Sequence, residues 1–169
     1  QRQMCIRDRK EPEPVLIDCG EKIDENWELL QKGLAAEGLK ISDLSKIIIT
    51  HAHLDHMGMA GKIVAHSDAT VWISEYTYDW AVNLKENLDL RERAFFEVFK
   101  ETVGSPDEIG GYRVGYKELS PMWDEIPENR LQKFAMDDAL NFGGMDWDVI
   151  FTPGHCICLL YTSPSPRDR

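Results

Sequence analysis

"IIITHAHLDHMG", Ile47 to Gly58, is the stretch on which the reading of this chain turns. Three consecutive isoleucines read as a strand buried on both faces, because such a strand is a continuous apolar run rather than an alternation. Lys46 opens it and Thr50 closes it. His51, His53, Asp55 and His56 then fall within six positions, in a chain with only five histidines. Imidazole and carboxylate are common ligands of zinc and iron near neutral pH. Residues two apart in an extended segment project the same way, so His51 and His53 suit one ion. A turn after His53 lets Asp55 and His56 face a second. Two ions about 3.5–4 Å apart can bridge and ionise a water, which supplies a nucleophile without serine or cysteine. The competing reading is a polar loop that caps the next helix. It accounts for Asp55 but not for three histidines around it.

Before this stretch, Pro14 to Asp18 reads as a short buried strand ending at a carboxylate, with Gly20 as the turn. Asp24 suits the cap of a helix that begins near Glu25. Trp27, Leu30 and Leu34 recur at helical spacing, and Gly38 ends that helix. After the histidine loop a helix is expected over about Met59–His66 and a strand over Ala69–Ser74. The order β-α-β-loop-α-β is an α/β layered pattern. From Glu75 to about Arg130 helices are expected near Tyr76–Lys85 and Leu90–Val103, the second with Phe95, Phe96 and Phe99 on its apolar face. Gly110-Gly111 and Pro121 interrupt the chain beyond them. Strand character returns at Ala139–Phe142, Gly143-Gly144 makes a hairpin turn, and Trp147–Thr152 is the last strand.

Composition bounds the function. A length of 169 residues suits one domain. No apolar run reaches the roughly 18 residues a membrane helix needs, and no leader-like segment opens the chain, so a cytoplasmic protein without a membrane partner is expected. The formal charge of −11 argues against a nucleic-acid backbone as the main partner. The four cysteines lack the spacing of a zinc finger or a disulfide framework.

The two ends differ from the rest. "QRQMCIRDR" (Gln1–Arg9) and "CICLLYTSPSPRDR" (Cys156–Arg169) both finish in Arg-Asp-Arg and are locally basic in an acidic chain. Both resemble translated sequencing-adapter read-through. The expectation is three parts: a non-native segment at 1–9, one domain over 10–155 with a helical insertion at about 75–130, and a non-native tail at 156–169.

His-x-His-x-Asp-His after an apolar strand and a threonine resembles the signature of the metallo-β-lactamase superfamily. "LIDCG" resembles that family's early strand ending in an aspartate, here Asp18. "FTPGH" resembles its later strand ending in a histidine, here His155. The resemblance implies a partial αββα sandwich with a helical insertion. It implies that His51, His53 and His155 bind one metal, that Asp55 and His56 bind a second, and that Asp18 holds ligands in place by hydrogen bonds. Zinc is the expected metal, two ions in a complete site, with iron or manganese as alternatives. The family's bridging aspartate and last histidine have no counterpart after His155, which implies a whole first site and a half-built second one. His66 has no matching role and is expected to be a surface or packing histidine.

His53 stands where di-iron redox relatives carry glutamate, which lowers a redox reading. The resemblance implies a metal-dependent hydrolase of a small ester, thioester or lactone, similar to glyoxalase II-like enzymes. Metal-bound hydroxide would attack the carbonyl, with Asp55 as the catalytic residue that orients it. The alternatives are an inactive metal-binding remnant, a β-lactamase, a nuclease or a persulfide dioxygenase. Tyr76, Tyr78, Trp80, Tyr112, Tyr116 and Trp123 either shape a substrate lid or simply pack the inserted helices.

Overall fold

The computed structural model of the chain describes residues 13–102, 120–135, 138–151 and 160–161. Four parallel strands form the central sheet: β1 (Val15–Ile17), β2 (Lys46–Ile49), β3 (Thr70–Ser74) and β4 (Leu131–Phe134), side by side in that order. The isoleucine run is β2, an interior strand, and this position explains its composition. Ile47 and Ile49 belong to one core and Ile48 to another on the opposite face. All three are buried, each stabilising the fold by about 1.5–3 kcal/mol relative to exposure.

On the first face lie α1 (Asp24–Ala36), through Leu30 and Leu34, and α3 (Ala60–Val64), through Ile63 and Val64. On the other lies the hairpin of β5 (Ala139–Phe142) and β6 (Met145–Asp148), whose Leu140, Phe142 and Trp147 pack with Ile48 and Phe134. Gly143 and Gly144 turn this hairpin with φ of 59° and 70°. Two successive positive φ values match the right-handed twist of the flanking strands and favour glycine. The layers are helices, parallel sheet and hairpin, an α/β arrangement as expected. The short β7 (Ile150–Phe151) pairs antiparallel with β8 (Leu160–Tyr161).

Several boundaries differ from expectation. Asp24 is the first residue of α1 rather than its cap. Ile23 takes the cap position with no side-chain bond, while Asp24 and Glu25 place negative charge at the positive end of the helix dipole. Helical structure begins earlier than Met59: α2 (Leu54–Met57) starts inside the histidine motif and puts Asp55 and His56 on a turn of helix. Extended His53 (φ −84°, ψ 150°) leads into it, and its carbonyl accepts from the His56 and Met57 amides. Strand β4 was not expected, because Gln132 and Lys133 interrupt its apolar residues; pairing with β3 makes it a strand. The last expected strand is divided between β6 and β7 at Val149. After β3 the chain turns directly into α4 (Glu75–Val82), capped by Ser74, whose hydroxyl accepts from the Tyr76 amide at 3.3 Å. Next comes α5 (Leu84–Thr102). The side chains of Phe95, Phe96 and Phe99, and all of Gly110-Gly111, Tyr112 and Tyr116, lie outside the described residues.

Candidate metal centre

Parallel neighbours end at the same edge of a sheet, and this brings Asp18 and the histidine motif together. Asp18 comes directly after β1, and its amide donates to the Ile48 carbonyl at 2.9 Å, as a continuation of the β1–β2 ladder. Its φ is +54°, a left-handed conformation that short polar residues tolerate better than most. The backbone therefore turns away, and the side chain takes up the ladder's next donor. Asp18 Oδ1 accepts from the Thr50 amide at 2.8 Å. Asp18 Oδ2 accepts from the Thr50 hydroxyl at 2.8 Å and from His56 Nδ1 at 2.7 Å. One carboxylate thus ties the end of β1 to the end of β2 and to α2.

The histidines converge beside it. His51 Nε2 lies 3.2 Å from His53 Nδ1, and the His51 ring centroid is 3.9 Å from that of His56. His51 is 1% exposed. Burial, with the neighbouring His56 and His53 adding to it, pushes its pKa down to about 4. At neutral pH it is an uncharged imidazole, the form that ligates metal. Asp55 Oδ2 stands 3.5 Å from His56 Nε2, with the Asp55 side chain well exposed. Two nitrogens each about 2.0–2.1 Å from a tetrahedral zinc are about 3.3 Å apart. The His51–His53 pair has that spacing, and the Asp55–His56 pair nearly so. The donor types and their separations fit divalent metal.

Among the described residues no three His, Cys, Asp or Glu side chains form a set able to hold an ion. The described geometry supplies two adjacent pairs. His155, expected as the third ligand of the first pair, lies outside the described residues. Of the other expected positions, His66 is exposed, with Nδ1 2.8 Å from the Lys62 carbonyl and its ring against Trp27. Tyr78 and Trp80 pack on the helical-side core and Trp123 is buried within it, whereas Tyr76 is exposed. A cavity of about 340 Å³ opens between Ala81–Glu86 and Trp123–Leu131; none of the predicted ligands lines it. Thr50 was not singled out from sequence as a site residue. The signal for it was a hydroxyl between a buried strand and the first histidine, which by itself says nothing of its partners.

The chain belongs to the metallo-beta-lactamase superfamily, whose family model matches residues 9–156. It is 26% identical over 150 residues to "Probable metallo-hydrolase YqjP" of Bacillus subtilis (strain 168), covering 83% of this chain and 42% of that protein. It is 26% identical over 125 residues to "Exodeoxyribonuclease YycJ" of Bacillus anthracis, covering 69% and 47%. Among solved structures it resembles the metallo-beta-lactamase family protein TTHA1429 from Thermus thermophilus, with a TM-score of 0.65 at 24% identity, covering 89% of this chain and 46% of that one. MEM-A1, a subclass B3 metallo-beta-lactamase from a soil metagenome library, gives 0.58 at 20% identity over 90% and 47%. The chain spans a little under half the length of these relatives. The structural likenesses carry the fold: the parallel sheet with helices on one face is part of this superfamily's sandwich. No helix among the described residues is long and apolar enough to cross a membrane.

Proposed function

We propose that the protein is a metal-dependent hydrolase of a small ester, thioester or lactone, with zinc as its metal. The observation that carries this is the pairing of His51 Nε2 with His53 Nδ1 at 3.2 Å beside a His56 held by Asp18. His51 and His53 would hold one ion, with His155 as third donor; Asp55 and His56 would contribute to a second. A divalent ion held there would supply Lewis acidity, lowering the pKa of a water and polarising a carbonyl. The chain's own residues do the rest. Asp55, the most exposed of the group, would use its second carboxylate oxygen to accept a hydrogen bond that orients the attacking water. Burial of His51 keeps it neutral and placed. Asp18 holds His56 against rotation.

A second reading is favoured by one observation: one relative is named an exodeoxyribonuclease. The formal charge of −11 argues against it, because binding a polyanion calls for clustered Lys and Arg. An inactive metal-binding remnant is the third. One experiment separates them. The chain is loaded with zinc, its metal content is measured, and it is assayed against thioesters, lactones, a β-lactam and single-stranded DNA and RNA. Turnover of the small esters with about two zinc ions per chain supports the proposal. Cleavage of nucleic acid alone supports the nuclease. One zinc ion per chain or none, without turnover, leaves the remnant.

A further inference from the structure

We propose that Asp18 and Thr50 form one hydrogen-bond relay that presets the tautomers of His51 and His56, so that both present an unprotonated Nε2. This rests on the reading of the cluster as a metal centre. The Thr50 amide can only donate, so the atom it meets at 2.8 Å, Asp18 Oδ1, is an acceptor. Asp18 Oδ2 is then the oxygen left for two side chains, the Thr50 hydroxyl at 2.8 Å and His56 Nδ1 at 2.7 Å. A carboxylate accepts from both. His56 therefore carries a proton on Nδ1, and in the neutral ring Nε2, facing Asp55, is the unprotonated nitrogen. Thr50 has one hydroxyl proton, and it is committed to Asp18. Toward His51 Nδ1, 3.2 Å away, the same oxygen has only lone pairs to offer. His51 must carry its proton on Nδ1 as well, and its Nε2 is the nitrogen turned to His53. One carboxylate sets His56 directly and His51 through Thr50.

The relay has a direction, and one atom reverses it. In Asp18→Asn the Thr50 amide still requires an oxygen at Oδ1, so the amide nitrogen replaces Oδ2. That nitrogen donates to Thr50 and to His56 Nδ1. The Thr50 proton is released toward His51 Nδ1, and both imidazoles move their proton to Nε2. Thr50→Val removes only the His51 branch. Thr50 and Asp18 are positioning residues here, acting through the histidines.

The test reads tautomers directly, by long-range 1H–15N correlation of the imidazole rings in the chelator-treated protein. Zinc affinity is measured in parallel by competition with a chromophoric chelator. The parent should show Nδ1–H at both His51 and His56. Thr50→Val should leave His56 unchanged, remove the fixed form at His51 and weaken zinc binding about 10–100-fold. Thr50→Ser should restore both readouts, and Asp18→Asn should convert both rings. A parent His51 protonated on Nε2, or a Thr50→Val protein with the parent's tautomers, would overturn the relay. Should Thr50→Val not fold, the parent spectrum and Asp18→Asn decide. If the tautomers behave as stated but the parent takes up no zinc, the metal reading fails and the relay stands. If zinc binds tightly while the His51 tautomer ignores Thr50, the relay fails and the metal reading stands.

Discussion

Cys19 grips the carbonyl oxygen of His56 twice: its amide donates at 2.7 Å and its thiol at 3.1 Å. The residue next to the anchoring carboxylate thus holds the backbone of the residue whose ring that carboxylate holds. Met59 adds a third tie, its amide donating to the Gly20 carbonyl at 3.1 Å. The end of α2 is fastened to the loop after β1 through both backbone and side chain.

Burial of Cys19, with the Asp18 charge beside it, raises its thiol pKa well above the ordinary thiol range. The thiolate is the reactive form, so this cysteine should be inert in the native protein. Site-resolved mass spectrometry after iodoacetamide at pH 8 should find Cys19 unmodified in the folded chain and fully alkylated in urea. Rapid labelling of Cys19 without unfolding would contradict its placement.

The depressed pKa of His51 makes metal-free stability depend on pH with a definite sign. The unfolded chain protonates this histidine below about 6.5 and the folded chain only below about 4. Between those values the unfolded state binds more protons, so stability falls as pH drops from about 6.5 toward 4. The loss attributable to His51 is at most about 3 kcal/mol. Urea unfolding of the chelated protein at pH 7, 5.5 and 4.5, with and without His51→Asn, measures it. The variant should lose most of the slope across this window.

Two glycines separate crowding from backbone strain. A Cβ on Gly58 would stand 2.5 Å from the Leu54 carbonyl oxygen and 2.7 Å from that of Met122. Gly58→Ala should cost about 1–3 kcal/mol and, lying two residues from His56, weaken zinc binding too. Gly143 has open space around it but a φ of +59°. Gly143→Ala should cost about 1–2 kcal/mol through the backbone alone and leave zinc affinity unchanged. Denaturant midpoints and chelator competition on both variants check this.

Removal of a ligand should weaken the site more than removal of its support. His51→Ala, His53→Ala and Asp55→Ala should each reduce zinc affinity by more than the roughly 10–100-fold typical of a supporting partner. Turnover of any ester substrate should fall with it. His66→Ala, on an exposed ring bonded to its own helix, should alter neither. Zinc titration and initial rates across the four variants give the comparison, and a His66→Ala protein as impaired as the others would undo the assignment.

Much of this arrangement was legible along the chain, because its causes are local. An apolar run of three β-branched isoleucines reads as a doubly covered strand, and β2 is one. Six residues holding three imidazoles and a carboxylate show the ligand types of a metal site in their identities alone. Gly143-Gly144 carries its own turn, and Leu30 and Leu34 carry the period of α1. The rest depends on neighbours distant in sequence. β4 is a strand because β3 offers it a ladder, not because Leu131–Phe134 has a strand's pattern. The helical turn that carries Asp55 and His56 is fastened by the Cys19 contacts to the His56 carbonyl, from 37 positions away. Thr50 gained its role from a hydrogen bond to Asp18 across 32 positions, made when two parallel strands ended side by side. Ligand types can be read from residue identities, since they are a matter of chemistry. Which nitrogen of each ring carries the proton is a matter of hydrogen-bond direction, and that exists only once the chain has folded.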